Sequence, residues 1–182
     1  MANVDYANGF QYSSLGVSAP PIIGVYEKQS SQGTAIFRND VVHAIAGVTG
    51  FNKPPIEPFG TGTPGTTIPL GVALDYGAAS TRTPHHVIVD PFARYHAQDD
   101  DDTDGLVAAN MGLNALVSTG AGSTTTEFSG HEIDEAGIAT SATATDIHLI
   151  GLYPHPENAF GEHARIIVSF NRARLSTGFA GV

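Results

Sequence analysis

The residues best suited to chemistry are carboxylates and histidines. In the run 99–105 (DDDDTDG), Asp100, Asp102 and Asp104 stand at alternate positions before Gly105. With that spacing, the side chains of a tight loop can converge on calcium. Val107 suits the apolar position two residues after the glycine, but Met111 stands where an EF-hand loop carries its bidentate Glu. The run therefore reads as a solvated acidic loop, with Asp100, Asp102 and Asp104 a weak calcium candidate and no metal or cofactor required. His85, His86, His96, His131, His148, His155 and His163 could in principle furnish ligands on a β-scaffold such as a cupin barrel. Their spacing argues otherwise, because there is no His-x-His with a trailing Glu and no His-Glu-x-x-His. Glu132 and Glu135 read as a polar turn rather than as a catalytic pair. No Gly-x-Ser-x-Gly elbow or phosphate loop occurs, and cysteine is absent, so neither a disulfide nor a thiol nucleophile is available. The reading is of a protein that is not an enzyme.

The elements that must carry these residues are strands. Residues 146–175 hold the strongest signal. Positions 147–153 are apolar on both alternating faces, as expected of a central strand covered on both sides. Ala164, Ile166, Val168 and Phe170 alternate with Arg165, Ser169 and Asn171, as in a strand with one wet face. Residues 154–163, with two prolines, should project from the sheet. His148 reads as a hydrogen-bonded core or interface histidine, while His155 and His163 belong to the projecting loop. Further strand signals fall at 22–27, at 34–45 with a turn or bulge at 38–40, at 68–76, 85–90 and 92–98, briefly at 116–118, and at 131–134. The sole helix candidate is 106–114, weakened by Gly112. Residues 47–67 are dense in Gly and Pro and read as an irregular loop that Ile56 and Phe59 pin to the body or to a partner.

The 182 residues suffice for one domain with a proper core. The expected architecture is all-β: a small barrel or sandwich at 25–182 with long Gly/Pro-rich loops, at most one short helix, and an extended N-terminal arm at 1–24. In that arm Tyr6, Phe10 and Tyr12 are spaced as anchors for a neighbouring subunit. A formal charge of −10 with only 8 Lys plus Arg gives no basic footprint for nucleic acid. Neither a signal peptide nor a membrane span is evident, so a cytoplasmic origin is expected.

Several blocks together resemble the head decoration, or cement, proteins of tailed bacteriophages. They are Met1-Ala-Asn-Val with Asn8-Gly9-Phe10, Thr34-Ala-Ile-Phe-Arg with Asp40-Val41-Val42, Gly130-His-Glu-Ile-Asp134, His148-Leu-Ile-Gly-Leu-Tyr153 with Pro156-Glu-Asn-Ala-Phe-Gly161, and Ile167-Val-Ser-Phe-Asn-Arg172. The resemblance implies an all-β body, grouped as homotrimers on the capsid exterior and assembled in the host cytoplasm, with loops and an arm on the major capsid protein. On that reading Tyr6, Phe10, Tyr12, Ile56, Phe59 and Phe160 are the capsid-contact residues. The competing readings are a cupin-like metal-dependent enzyme and a carbohydrate-binding or adhesion module.

Overall fold

A computed structural model of the chain describes residues 3–15, 19–45, 50, 53–60, 67–100, 105–140 and 145–171. Its strands are, in chain order, β1 (Gln11–Ser13), β2 (Ile23–Lys28), β3 (Val41–Ala44), β4 (Ile56–Pro58), β5 (Gly71–Ala73), β6 (Thr83–Ile88), β7 (Arg94–Gln98), β8 (Asn114–Gly120), β9 (Gly130–Ala139), β10 (Ile147–Leu152) and β11 (Arg165–Phe170). Strands β2-β4-β3-β5-β6 close a small barrel, and the remaining six form a sheet in the order β1-β7-β11-β10-β8-β9. Every pairing is antiparallel except that of β2 with β4. The sheet also curls back on itself. Asp99, just past β7, makes a parallel bridge to Ile133 of β9, and the Asp100 amide donates to the Ile133 carbonyl at 3.0 Å.

Alternation explains how barrel and sheet share one interior. Val42, Ala44, Ala73 and Val87 face the barrel core with Ile36, Ile56, Leu70 and Val89. Their strand neighbours Val41, Val72 and Ile88 face the other way, into a larger core shared with Tyr95, Ile133, Ile147, Leu149, Ile166, Val168 and Phe170 of the sheet. β3 and β5 are thus buried on both faces, which is why they read as short apolar runs without alternation. β11 behaves as its sequence dictates, with Ala164, Ile166, Val168 and Phe170 buried and Arg165, Ser169 and Asn171 partly exposed. β10 is central, between β11 and β8, but only Ile147 and Leu149 are buried and its other face is half open.

Three expectations change. The helix over 106–114 reduces to one 3₁₀ turn, Ala108–Asn110; Gly112 adopts φ +86°, outside the helical region, and Asn114 already begins β8. The 47–67 segment supplies a barrel strand: Ile56 lies opposite Ala44 and Lys28, so the loop is pinned by backbone pairing as well as by side chains. The presumed arm is extended but lies on its own chain. Gln11, Tyr12 and Ser13 pair with His96, Tyr95 and Arg94, the Tyr6 amide donates to Gln98 Oε1 at 2.9 Å, and Asn3 Nδ2 donates to the carbonyls of Ala159 and Glu162.

Tyr95 sits in the larger core with its hydroxyl buried and without a hydrogen-bond partner, and burial pushes its pKa up. An unsatisfied buried hydroxyl is a standing cost. Tyr95→Phe is therefore expected to be neutral or to stabilise by up to about 1–2 kcal/mol, read as an unchanged or higher Tm. A clear loss of stability would mean that the hydroxyl has a partner.

Candidate functional site

The sheet's closure places acidic groups together. Among the described residues, one group of three metal-ligating side chains brings its ligand atoms within 4.8 Å of one another: Asp99, Asp100 and Glu135. Glu135 follows Ile133 by two positions and so faces the same interior side of β9 as His131 and Ile133, all three buried. A carboxylate thus occupies what alternation makes an apolar position. Burial first, then the charges of Glu135 and Asp100, push the Asp99 pKa up to about 8, with the Leu106 amide acting in the opposite sense. Beside this group, Gln98 Nε2 reaches Asp5 Oδ1 at 3.0 Å, Glu132 Oε1 at 3.3 Å and His163 Nδ1 at 3.3 Å. Burial and the nearby Asp5 and Asp100 charges raise Glu132 to about 7, with His163 opposing.

Of the acidic run, only Asp99, Asp100 and Gly105 lie within the described residues. Asp100 gathers with Asp99 and with Glu135 from another strand, while Asp102 and Asp104 lie outside the described residues. Asp99 stood outside the alternate aspartates singled out in the run, and Glu135 read as part of a polar turn, so both were missed. The signal for Glu135 is the burial register of β9, in which 131, 133 and 135 share a face.

The histidines are dispersed. His43 Nε2 meets Glu57 Oε1 at 2.8 Å, and Glu57 also accepts from Gln32 Nε2; the Gln32 carbonyl in turn accepts from Lys28 Nζ, whose pKa burial lowers. His85 is buried, with its pKa lowered chiefly by desolvation, and His86 Nδ1 lies 2.7 Å from Asp75 Oδ2. His96 stacks on Tyr153 at 4.2 Å and is pushed down to about 4 by burial and by Arg165. His148 Nδ1 lies 3.2 Å from Asn114 Oδ1 on a half-buried strand face. His155 and His163 border a shallow cavity of about 220 Å³ with Asn3, Glu157, Asn158 and Arg165. The most deeply set histidines are His85, His131 and His43, rather than the His148 that the sequence singled out. His131 accepts at Nδ1 from the Val41 amide at 3.2 Å, and its Nε2 stands 3.7 Å from Asp40 Oδ1.

The expected contact residues divide. Tyr6 is 57 % exposed and Phe160 is exposed, while Tyr12 is half-buried against the sheet. Phe10, Ile56 and Phe59 are buried within their own chain, Phe10 and Phe59 in the larger core and Ile56 in the barrel. These three are correctly apolar but serve the fold, since a side chain already covered by its own chain presents no area to a neighbour. The sequence reading missed a set of exposed apolar side chains on the barrel. Ile23 and Val25 of β2 and Ile22 just before it are exposed. The Val89 amide donates to the Ile22 carbonyl at 2.9 Å, which brings the following turn, with Phe92 82 % exposed, to the same end of the barrel. Compared with family models, with curated proteins and with solved structures, the chain finds no match in any of the three.

Proposed function

We propose that the chain is a structural virion protein that binds the outer surface of a tailed-phage capsid, as a homotrimer, and stabilises contacts between major capsid protein subunits. The observation that carries this reading is the apolar edge of the barrel: Ile22, Ile23, Val25 and, in the turn after β6, Phe92 remain exposed, while on the other face of β2 Tyr26 packs partly against the barrel core and Lys28 is buried. Large apolar side chains grouped on a surface mark interaction sites. Their location on β2, the residue before it and a short turn bonded to it through Val89 suits a docking surface that needs little reorganisation. The blocks resembling decoration proteins point the same way. The net charge of −10 disfavours nucleic acid as the partner, and no helix among the described residues is long and apolar enough to cross a membrane. The metal-enzyme alternative needs converging imidazoles, and the one converging group among the described residues contains no histidine.

The test is co-sedimentation of the purified chain with shells of its major capsid protein, alongside its mass in solution. A trimer of the 18.9 kDa chain is expected. Val25→Ser combined with Phe92→Ser should leave Tm within a few degrees of wild type while weakening shell binding by at least about tenfold, since exposed apolar anchors act as hot spots only once covered. Failure of the wild-type chain to sediment with shells refutes the reading. Unimpaired binding by the double variant moves the contact elsewhere, to Tyr6 or Phe160.

A further inference from the structure

We propose that Asp99, Asp100 and Glu135 form a divalent-cation site of calcium type that ties the end of β7 to β9. Two observations carry it. The first is convergence. Two oxygens on opposite sides of an ion bound at 2.3–2.6 Å are separated by roughly 5 Å, and these three side chains offer oxygens all within 4.8 Å of one another. The second is Asp99 itself. It is 0 % exposed, and neither of its carboxylate oxygens has a hydrogen-bond partner. The Leu106 amide, which favours its charged form, does not reach hydrogen-bonding geometry with either oxygen, and the side chain close enough to bond it, Glu135, is itself a carboxyl that can do so only by holding a proton. A carboxylate sealed from water without a donor calls for a counter-charge or a proton, and its nearest strong influences are two further carboxylates.

The donor set selects the ion. All three ligands are carboxylates and no imidazole or thiolate is present, which suits a hard cation rather than zinc or copper. Calcium accepts six to eight oxygens in irregular geometry, so three carboxylates, some bidentate, leave places for water. Asp5 and Glu132, held by Gln98 beside Asp100, add negative potential at the site's edge and favour cation capture. The site joins segments already in register, because Asp99 bridges Ile133 and the Asp100 amide bonds its carbonyl. A bound ion therefore closes the curled sheet where the backbone already holds it. Of the alternate aspartates of the acidic run, Asp100 belongs to this group, which adds Asp99 and Glu135.

The experiment uses the full chain after chelation, titrated at pH 7.5 with calcium chloride and separately with magnesium chloride, and followed by calorimetry and thermal melting. One calcium per chain is expected, with Tm rising by roughly 5–10 °C when calcium exceeds its Kd a hundredfold. Asp99→Asn and Glu135→Gln should each weaken calcium binding at least tenfold, whereas Glu27→Gln, which removes an exposed carboxylate paired with Arg82 on the barrel, should change it less than threefold. Asp99→Asn also relieves like-charge crowding, so this variant should fold without calcium and its lost response remains readable. The inference is overturned if wild-type Tm ignores millimolar calcium, if magnesium alone binds, or if Asp99→Asn retains the calcium response as fully as Glu27→Gln does.

Discussion

Phe10→Ala is expected to destabilise the protein by about 3–5 kcal/mol, lowering Tm by roughly 10–15 °C. The ring is 0 % exposed in the larger core and stacks on Phe170 with centroids 6.3 Å apart. Neighbouring backbone fixes its position. The Phe10 amide donates to the Asn39 carbonyl at 2.9 Å, and Asn39 Nδ2 donates to the Asn8 carbonyl. Gly9, at φ +68°, lets the chain pass so close that an added Cβ would lie 2.5 Å from Asn39 O and from Ser129 Cβ. The void left by the lost ring cannot be filled by a segment pinned in this way, so the cavity cost should be paid nearly in full. Deleting residues 1–21 removes Phe10 and β1 together and should cost more still, leaving a chain that melts well below the single variant or does not fold. Thermal and denaturant unfolding of both variants checks this. A loss below about 1 kcal/mol for Phe10→Ala would return the segment to the role of a detachable arm.

What the sequence disclosed depended on how many faces of each strand are covered. β11 has one wet face, and its alternation through Ala164, Ile166, Val168 and Phe170 gave both its class and its inward side. β3, β5 and β6 feed two cores, so Val41 and Val42 are equally apolar for different reasons, and nothing local says which residue faces the barrel. Pro58 in β4 looked like a loop marker, yet it is tolerated in a three-residue strand at the barrel wall. β9 was hidden by its interior carboxylate and imidazole. His131 and Glu135 stand at apolar positions of the alternation, so a strand of 10 residues read as four. The same substitution hid the acidic cluster, which draws on Asp99, Asp100 and the distant Glu135, brought together by the backbone contacts of Asp99 and Asp100 with Ile133. The exposed groups Ile22, Ile23, Val25 and Phe92 look like ordinary strand residues in sequence and are distinguishable only by their orientation.

Asp40→Asn and His131→Gln should change stability with pH in opposite directions when each is compared with wild type. Both side chains are buried where barrel meets sheet, with Asp40 Oδ1 3.7 Å from His131 Nε2, too far for a hydrogen bond. Burial dominates both pKa shifts. It pushes Asp40 up from 3.8 to about 7 despite the Phe37 amide and Ser129, which favour the charged form, and it pushes His131 down from 6.5 to about 4. Between pH 3.8 and 7 the native state holds a proton on Asp40 that the unfolded chain has lost, so this group's contribution falls as pH rises, by about 1.4 kcal/mol per unit and roughly 4 kcal/mol in all. Between pH 4 and 6.5 the unfolded chain holds a proton on His131 that the native state lacks, so this group's contribution rises with pH, by roughly 3 kcal/mol over the window. In wild type the two slopes largely cancel, because native and unfolded forms each carry one proton on the pair. Asn at position 40 can still accept from the Phe37 amide, which donates to Asp40 Oδ2 at 2.7 Å, and Gln at position 131 keeps an acceptor for the Val41 amide. Relative to wild type, Asp40→Asn should therefore gain stability as pH rises from 4 to 7, and His131→Gln should gain it as pH falls over the same range. Denaturant melts of the three proteins at half-unit pH intervals give these differences directly and remove the contributions of other titrating groups. Flat differences, or slopes of the same sign, would show that the two groups are not held neutral by burial.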